Sequence, residues 1–151
     1  MKEIKVDWHE LELAFRELSD TKNYIDVFTG SILSIVPGFE DEEEIHNLIT
    51  QNPHRIIEIK PLNADFGRLT MREFIQQNIA PQLREELNSA IAGPAGLTNS
   101  MNIIRKDGEY LGQYQRFEQE LFWEHVHSFL ADCGIAPINR APQPELFHDV
   151  A

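Results

Sequence analysis

The stretch Tyr110–Cys133, YLGQYQRFEQELFWEHVHSFLADC, most constrains what this chain can fold into. It is the longest helical pattern in the sequence, and Leu111, Tyr114, Leu121, Phe122 and Phe129 recur on one arc of it. The stripe is uneven. Gln115 and Gln119 occupy a side that Trp123, Val126 and Leu130 make apolar further on, so the helix is expected to meet different neighbours along its length. Its end carries a stop signal: Gly134 suits the left-handed position after the cap, Ile135 can fold back onto Leu130, and Pro137 follows. A helix over residues 109–133 is therefore the fixed point from which the other elements are placed.

The remaining pattern reads as a helix, a hairpin, a helix, a strand and then helices. Asp7 and Glu10 have the spacing of a capping box, and Val6 can staple onto Leu11. Leu11, Ala14, Phe15 and Leu18 then form the apolar stripe of a helix that ends near Ser19-Asp20. Residues 23–36 alternate β-branched and aromatic residues around Thr29-Gly30, a hairpin stopped by Pro37-Gly38. The acidic run Glu40–Glu44 suits the start of a short helix whose buried side is Ile45, Leu48 and Ile49. Residues 55–60 form a third strand ended by Pro61, and a loop is expected over Leu62–Arg68. Thr70 and Glu73 repeat the capping-box spacing with Leu69 and Phe74 as staple. Pro81 opens a further helix through Leu83, Leu87 and Ile91, Gly93-Pro94-Ala95-Gly96 breaks the chain, and Thr98–Lys106 is a short helix. This order implies an α+β fold, a small antiparallel sheet (hairpin 23–36 plus strand 55–60) packed with several helices, rather than alternating βαβ units. Residues 1–135 are read as one domain, and residues 136–151, with three prolines and no period, as an extended or disordered tail in which Leu146-Phe147 is a possible docking pair.

The order and spacing of several pieces resemble an uncharacterised family of bacterial proteins with no assigned activity. The matching stretches are Val6-Asp7-Trp8, Tyr24-Ile25-Asp26 running into Thr29-Gly30, Arg55–Pro61, Met71–Ile75 leading into Leu83–Leu87, and Phe129-Leu130 with Gly134-Ile135. Together they cover most of residues 6–135. The resemblance also implies a glycine followed by an aromatic and basic helix start after the central helices. Here that place is Gly96-Leu97-Thr98-Asn99-Ser100-Met101-Asn102, without the aromatics or the cations. The resemblance implies no catalytic residues.

Bulk properties narrow the function. The 13 Lys and Arg against 25 Asp and Glu give a net charge of −12 over 151 residues. Such a field disfavours nucleic acid and anionic membranes, whose affinity for proteins comes from Lys and Arg displacing counterions. A chain of this length buries about 68–70% of its unfolded surface, so no metal or disulfide is required for a core. Cys133 is the only cysteine, the first residues lack the apolar region of a signal peptide, and no 18-residue apolar run occurs. A cytoplasmic location is the expectation.

No Gly-x-Ser-x-Gly, phosphate-binding loop or Gly-x-Gly-x-x-Gly run is present, no motif calls for a cofactor, and no residue is assigned a catalytic role. Glu124–His127 and Glu43–His46 have a metal-binding spacing, but a strand-interrupted chain offers no four-helix bundle to hold a metal. Three residues stand out as candidate binding groups: His125 and Glu118, two turns apart on the apolar arc of the long helix, and Asp26, a carboxylate inside an apolar strand. A satisfied core histidine, and an Asp26 that faces solvent or bonds a turn hydroxyl such as that of Thr29, are the plainer alternatives. The first functional expectation is a small acidic binding or adaptor domain with a protein partner of basic surface. The second is an enzyme or small-molecule binder with a cleft near His125, Glu118 and Asp26.

Overall fold

A computed structural model describes residues 1–142. In chain order the elements are β1 (Lys2–Ile4), α1 (Trp8–Phe15), β2 (Lys22–Asp26), β3 (Ile32–Ile35), α2 (Glu42–Gln51), β4 (Ile56–Ile59), α3 (Ala64–Asn78), α4 (Pro81–Ala92), α5 (Gly96–Arg105), α6 (Gly108–Asp132) and β5 (Ile135–Pro137). The fold is α+β, with a three-stranded antiparallel sheet in the order β3-β2-β4 and the long helix expected from the sequence. Among the described residues no helix is long and apolar enough to cross a membrane. The described residues group into two compact units, Met1–Leu62 with Glu124–Pro142, and Asn63–Trp123.

In the first unit β2 is the central strand. It pairs Tyr24 with Leu33 on one side and with Glu58 on the other, and its residues Asn23–Asp26 are all buried. Its buried polar side chains must find partners within the fold. Asn23 does so by accepting from the Ser34 hydroxyl at 2.6 Å, directly across the strand pair. Tyr24, Ile35 and Ile56 make one apolar cluster, against which Leu33 and the α2 residues Ile45 and Ile49 are only half-buried. The sequence had placed Leu48 on that buried side, yet Leu48 is 43% exposed.

Helix α1 starts as expected, with Asp7 Oδ1 accepting from the Glu10 N–H at 3.0 Å. It ends earlier. The last helical residue is Phe15, and Leu18, expected in the apolar stripe, is 97% exposed because the chain has already left the helix.

The two terminal strands were not foreseen. Gly134, at φ +76°, ends α6 and turns the chain into β5, which pairs in parallel with β1. The Lys2 N–H donates to Gly134 O at 2.8 Å and the Ile138 N–H to Ile4 O at 3.0 Å. Asn139 then extends the ladder with its side chain: Oδ1 accepts from the Val6 N–H at 2.9 Å and Nδ2 donates to Val6 O at 2.7 Å. The tail expected from Ala136 thus begins as an ordered strand, while residues 143–151, including Leu146 and Phe147, lie outside the described residues.

In the second unit Met71, Phe74, Ile75, Ile79, Leu87, Ile91, Ile104 and Tyr114 form the core. The expected loop over Leu62–Arg68 is largely helix. Asn63 caps α3, its Oδ1 accepting from the Asp65 and Phe66 N–H groups. Thr70 is consequently no cap. It is a buried residue in the helix interior whose hydroxyl donates to Phe66 O at 2.8 Å, and its supposed staple Leu69 is 54% exposed. A side-chain oxygen seven residues earlier had the stronger claim on the free N–H groups.

Asn139→Ala should lower stability by about 1–3 kcal/mol, because it leaves a buried backbone donor and acceptor at Val6 without partners. Urea unfolding of the two proteins measures this, and an unchanged midpoint would show that the amide clamp contributes nothing.

Candidate functional site

Asp26 ends β2, and its backbone and side chain organise the turn that follows. Its O accepts from the Thr29 and Gly30 N–H groups at 3.3 and 2.7 Å, and its N–H donates to Ser31 O at 2.8 Å. Oδ1 accepts from the Phe28 N–H at 2.9 Å. The Thr29 hydroxyl, offered by the sequence as a partner for Asp26, instead accepts from the Ser31 N–H at 3.2 Å. The cation that meets Asp26 is Arg55, immediately before β4. Its Nε lies 3.0 Å from Oδ1 and 3.1 Å from Oδ2, and its Nη2 lies 2.8 Å from Oδ2. These Arg55 hydrogen bonds outweigh burial and hold the Asp26 carboxyl below its ordinary value. The two-point guanidinium contact favours the ionised carboxylate, and together with the Phe28 N–H it braces the turn. Phe28, 52% exposed at the turn, carries Arg55 5.0 Å and Lys2 4.2 Å from its ring centre.

His125 also belongs to the first unit. It is exposed, not sunk into the core as its place on the helical arc implied. Its ring meets buried Phe15 edge-on at 5.5 Å, and Phe129, one turn further along α6, meets the same ring at 5.3 Å. One turn of α6 therefore presents two rings to a single α1 phenylalanine, which accounts for an imidazole on the apolar arc. His127 is exposed and lies 5.2 Å from Trp8.

Glu118 falls in the second unit, half-buried on α6, where its Oε2 accepts from the Gln119 amide at 3.4 Å. Burial pushes the Tyr114 phenol up to about 12, and the Glu118 carboxylate adds to that shift. The three candidates thus have distinct surroundings: Asp26 the hairpin turn and Arg55, His125 the Phe15 ring, Glu118 the buried phenol.

A cleft of about 740 Å³ opens in the first unit, lined by Lys5–Trp8, Glu10, Thr29–Ile32 and Asn139. Within its lining Gly30, at φ +81°, lies against the Lys5 carbonyl, where a Cβ would collide with backbone. It offers one ammonium, two carboxylates and two hydroxyls above the apolar groups of Val6, Trp8 and Ile32. Its walls come from three segments far apart in sequence, so helical or strand periodicity carries no sign of it. Among the described residues no three His, Cys, Asp or Glu side chains gather closely enough to hold a metal ion.

Asp26→Asn should cost about 1–2 kcal/mol at neutral pH, below the 1.5–3 of a buried charged hydrogen bond because Arg55 is partly exposed. The folded carboxyl titrates below its ordinary 3.8, so its contribution is complete above that pH and is lost as pH falls through the lower folded value. Urea midpoints taken across this range should show the gap between the two proteins closing in acid; a gap that widens would refute the assignment.

The UPF0158 protein PA5073 of Pseudomonas aeruginosa is 22% identical over 140 residues, covering 93% of this chain and 90% of that protein. No solved structure matches. Residues 1–145 match the uncharacterised protein family UPF0158, and the chain belongs to that family.

Proposed function

We propose that this protein is a small, soluble, cytoplasmic binding module whose partner is a protein with a basic surface. The charge carries this reading. Met1–Leu62 with Glu124–Pro142 holds fifteen Asp and Glu against seven Lys and Arg, a net −8, whereas Asn63–Trp123 holds eight against six, a net −2. A field concentrated on one unit speeds encounter with a cationic surface and repels nucleic acid and anionic lipid. The candidate side chains support it by being engaged in the fold: Asp26 with Arg55, His125 with Phe15.

The cleft favours a second reading, a small-molecule binder. Its 740 Å³ lies within the usual range for ligand sites, and Lys5, Asp7, Glu10, Thr29 and Ser31 supply polar groups in place of the expected His125, Glu118 and Asp26. Ser31→Trp separates the two readings, since it fills the cleft while leaving the charge untouched. Co-purification at about 0.1 M salt should recover a basic protein that is lost at about 1 M, where the screening length falls to about 3 Å. Retention of that partner by Ser31→Trp is the expected result; recovery of no basic partner at low salt would defeat the first reading.

A further inference from the structure

Helix α2 has an apolar side that the first unit only partly encloses. None of its residues is fully buried. Ile45 and Ile49 rest half-covered on the Tyr24, Ile35 and Ile56 cluster, beside half-buried Leu33. Leu48, one turn from Ile45, is 43% exposed, and Phe39, in the turn that leads into the helix, is 63% exposed. At 100° per residue Asp41, Glu44 and Leu48 fall on one flank of α2, adjoining Ile45. The same flank therefore offers carboxylates at its first turn and an exposed leucine in its middle. Asp41 makes no side-chain cap bond, and Glu42 is the acid engaged locally, accepting from the Gly38 N–H at 3.1 Å. The flank carboxylates are not needed to close the helix start.

We propose that this flank of α2 is the docking surface for the basic partner, and that it receives an amphipathic helix bearing Lys or Arg beside apolar anchors. The inference rests on the acidic-module reading and gives it a location. Charge complementarity selects the occupant: an apolar anchor completes the cover over Leu48, Ile45 and Leu33, while cations meet Asp41 and Glu44. Exposed apolar surface rimmed by polar groups marks interaction sites, and an amphipathic helix lays its apolar face on such surface. A second copy of this chain would bring the same carboxylates face to face, which like-charge repulsion opposes.

The probe is a synthetic amphipathic helix of Leu and Lys, with its Leu and Glu counterpart as control, titrated against the whole protein and read by fluorescence anisotropy. The Lys peptide should bind and the Glu peptide should not. Leu48→Ser should weaken binding tenfold or more, and D41N with E44Q should weaken it comparably and flatten its salt dependence. E85Q with E86Q, the same charge change on α4, should leave binding unaltered. Circular dichroism melts identify any variant that fails to fold, and backbone amide shifts in the wild-type complex, expected over residues 33–51, locate the contact without any substitution. Binding that is indifferent to the α2 changes, with shifts elsewhere, would overturn the docking site while leaving the acidic-module reading standing. No binding of the Lys peptide at low salt would overturn both.

Discussion

One side-chain amide joins the ends of the first unit. Asn139 presents to Val6 the same donor and acceptor that a backbone strand would present, so the parallel pair β1–β5 continues for one further rung where its own backbone has already departed. Two-stranded sheets are marginal alone, and this one has three residues in each strand. Its register depends on what lies at its ends. At one end is Gly134, whose carbonyl receives Lys2; at the other is Asn139, whose own carbonyl also accepts from the Trp8 indole at 3.2 Å. The N-terminal segment is thereby delivered to α1 in a fixed direction. Val6 and Trp8 are buried, and one side of the cleft is built from the same residues.

A second constraint acts on the hairpin. A chain with this excess of acid has few cations, and Arg55 is spent on Asp26. The register explains why. Asp26 faces Ile56 across β2 and β4, which leaves Arg55 level with the turn just beyond the paired strands. There a buried carboxylate needs a partner and the backbone N–H of Phe28 supplies only part of it. The Val27 N–H donating to Arg55 O at 2.9 Å holds the arginine backbone in that place. The pair fixes the turn.

The sequence made the local devices legible and left the long-range ones hidden. The Asp7 cap, the hairpin, the third strand and the glycine stop after α6 each depend on residues within a few positions of one another, and each was readable. Thr70 misled because its spacing to Glu73 imitates a cap, and the competing signal, Asn63 ahead of Asp65, stood in what looked like a loop. Leu18 misled because helical periodicity continues past Phe15 although the helix does not. Asn139 could not be read at all: its partner is more than a hundred residues away, and the Pro-rich composition around it points to a tail. His125 was placed on the apolar arc, but an arc does not say whether an imidazole is enclosed or lies exposed against a neighbouring ring.

The uneven stripe of α6 was a truer guide than its cluster of Glu and His. Its apolar side changes where Trp123, Val126 and Leu130 take over from the glutamines, and the division between the two units falls at Trp123 and Glu124. Each unit therefore recruits its own part of the helix: Tyr114 and Phe117 around Phe74 in one, His125 and Phe129 around Phe15 in the other. The chemistry-bearing side chains at that changeover are engaged in packing and in tuning a buried phenol. Incomplete cover in the first unit is found at α2, whose Ile45 and Ile49 rest only half-buried on the Tyr24, Ile35 and Ile56 cluster. A core that stops short of closure beside acid is the physical reason to look for a partner there rather than along the long helix.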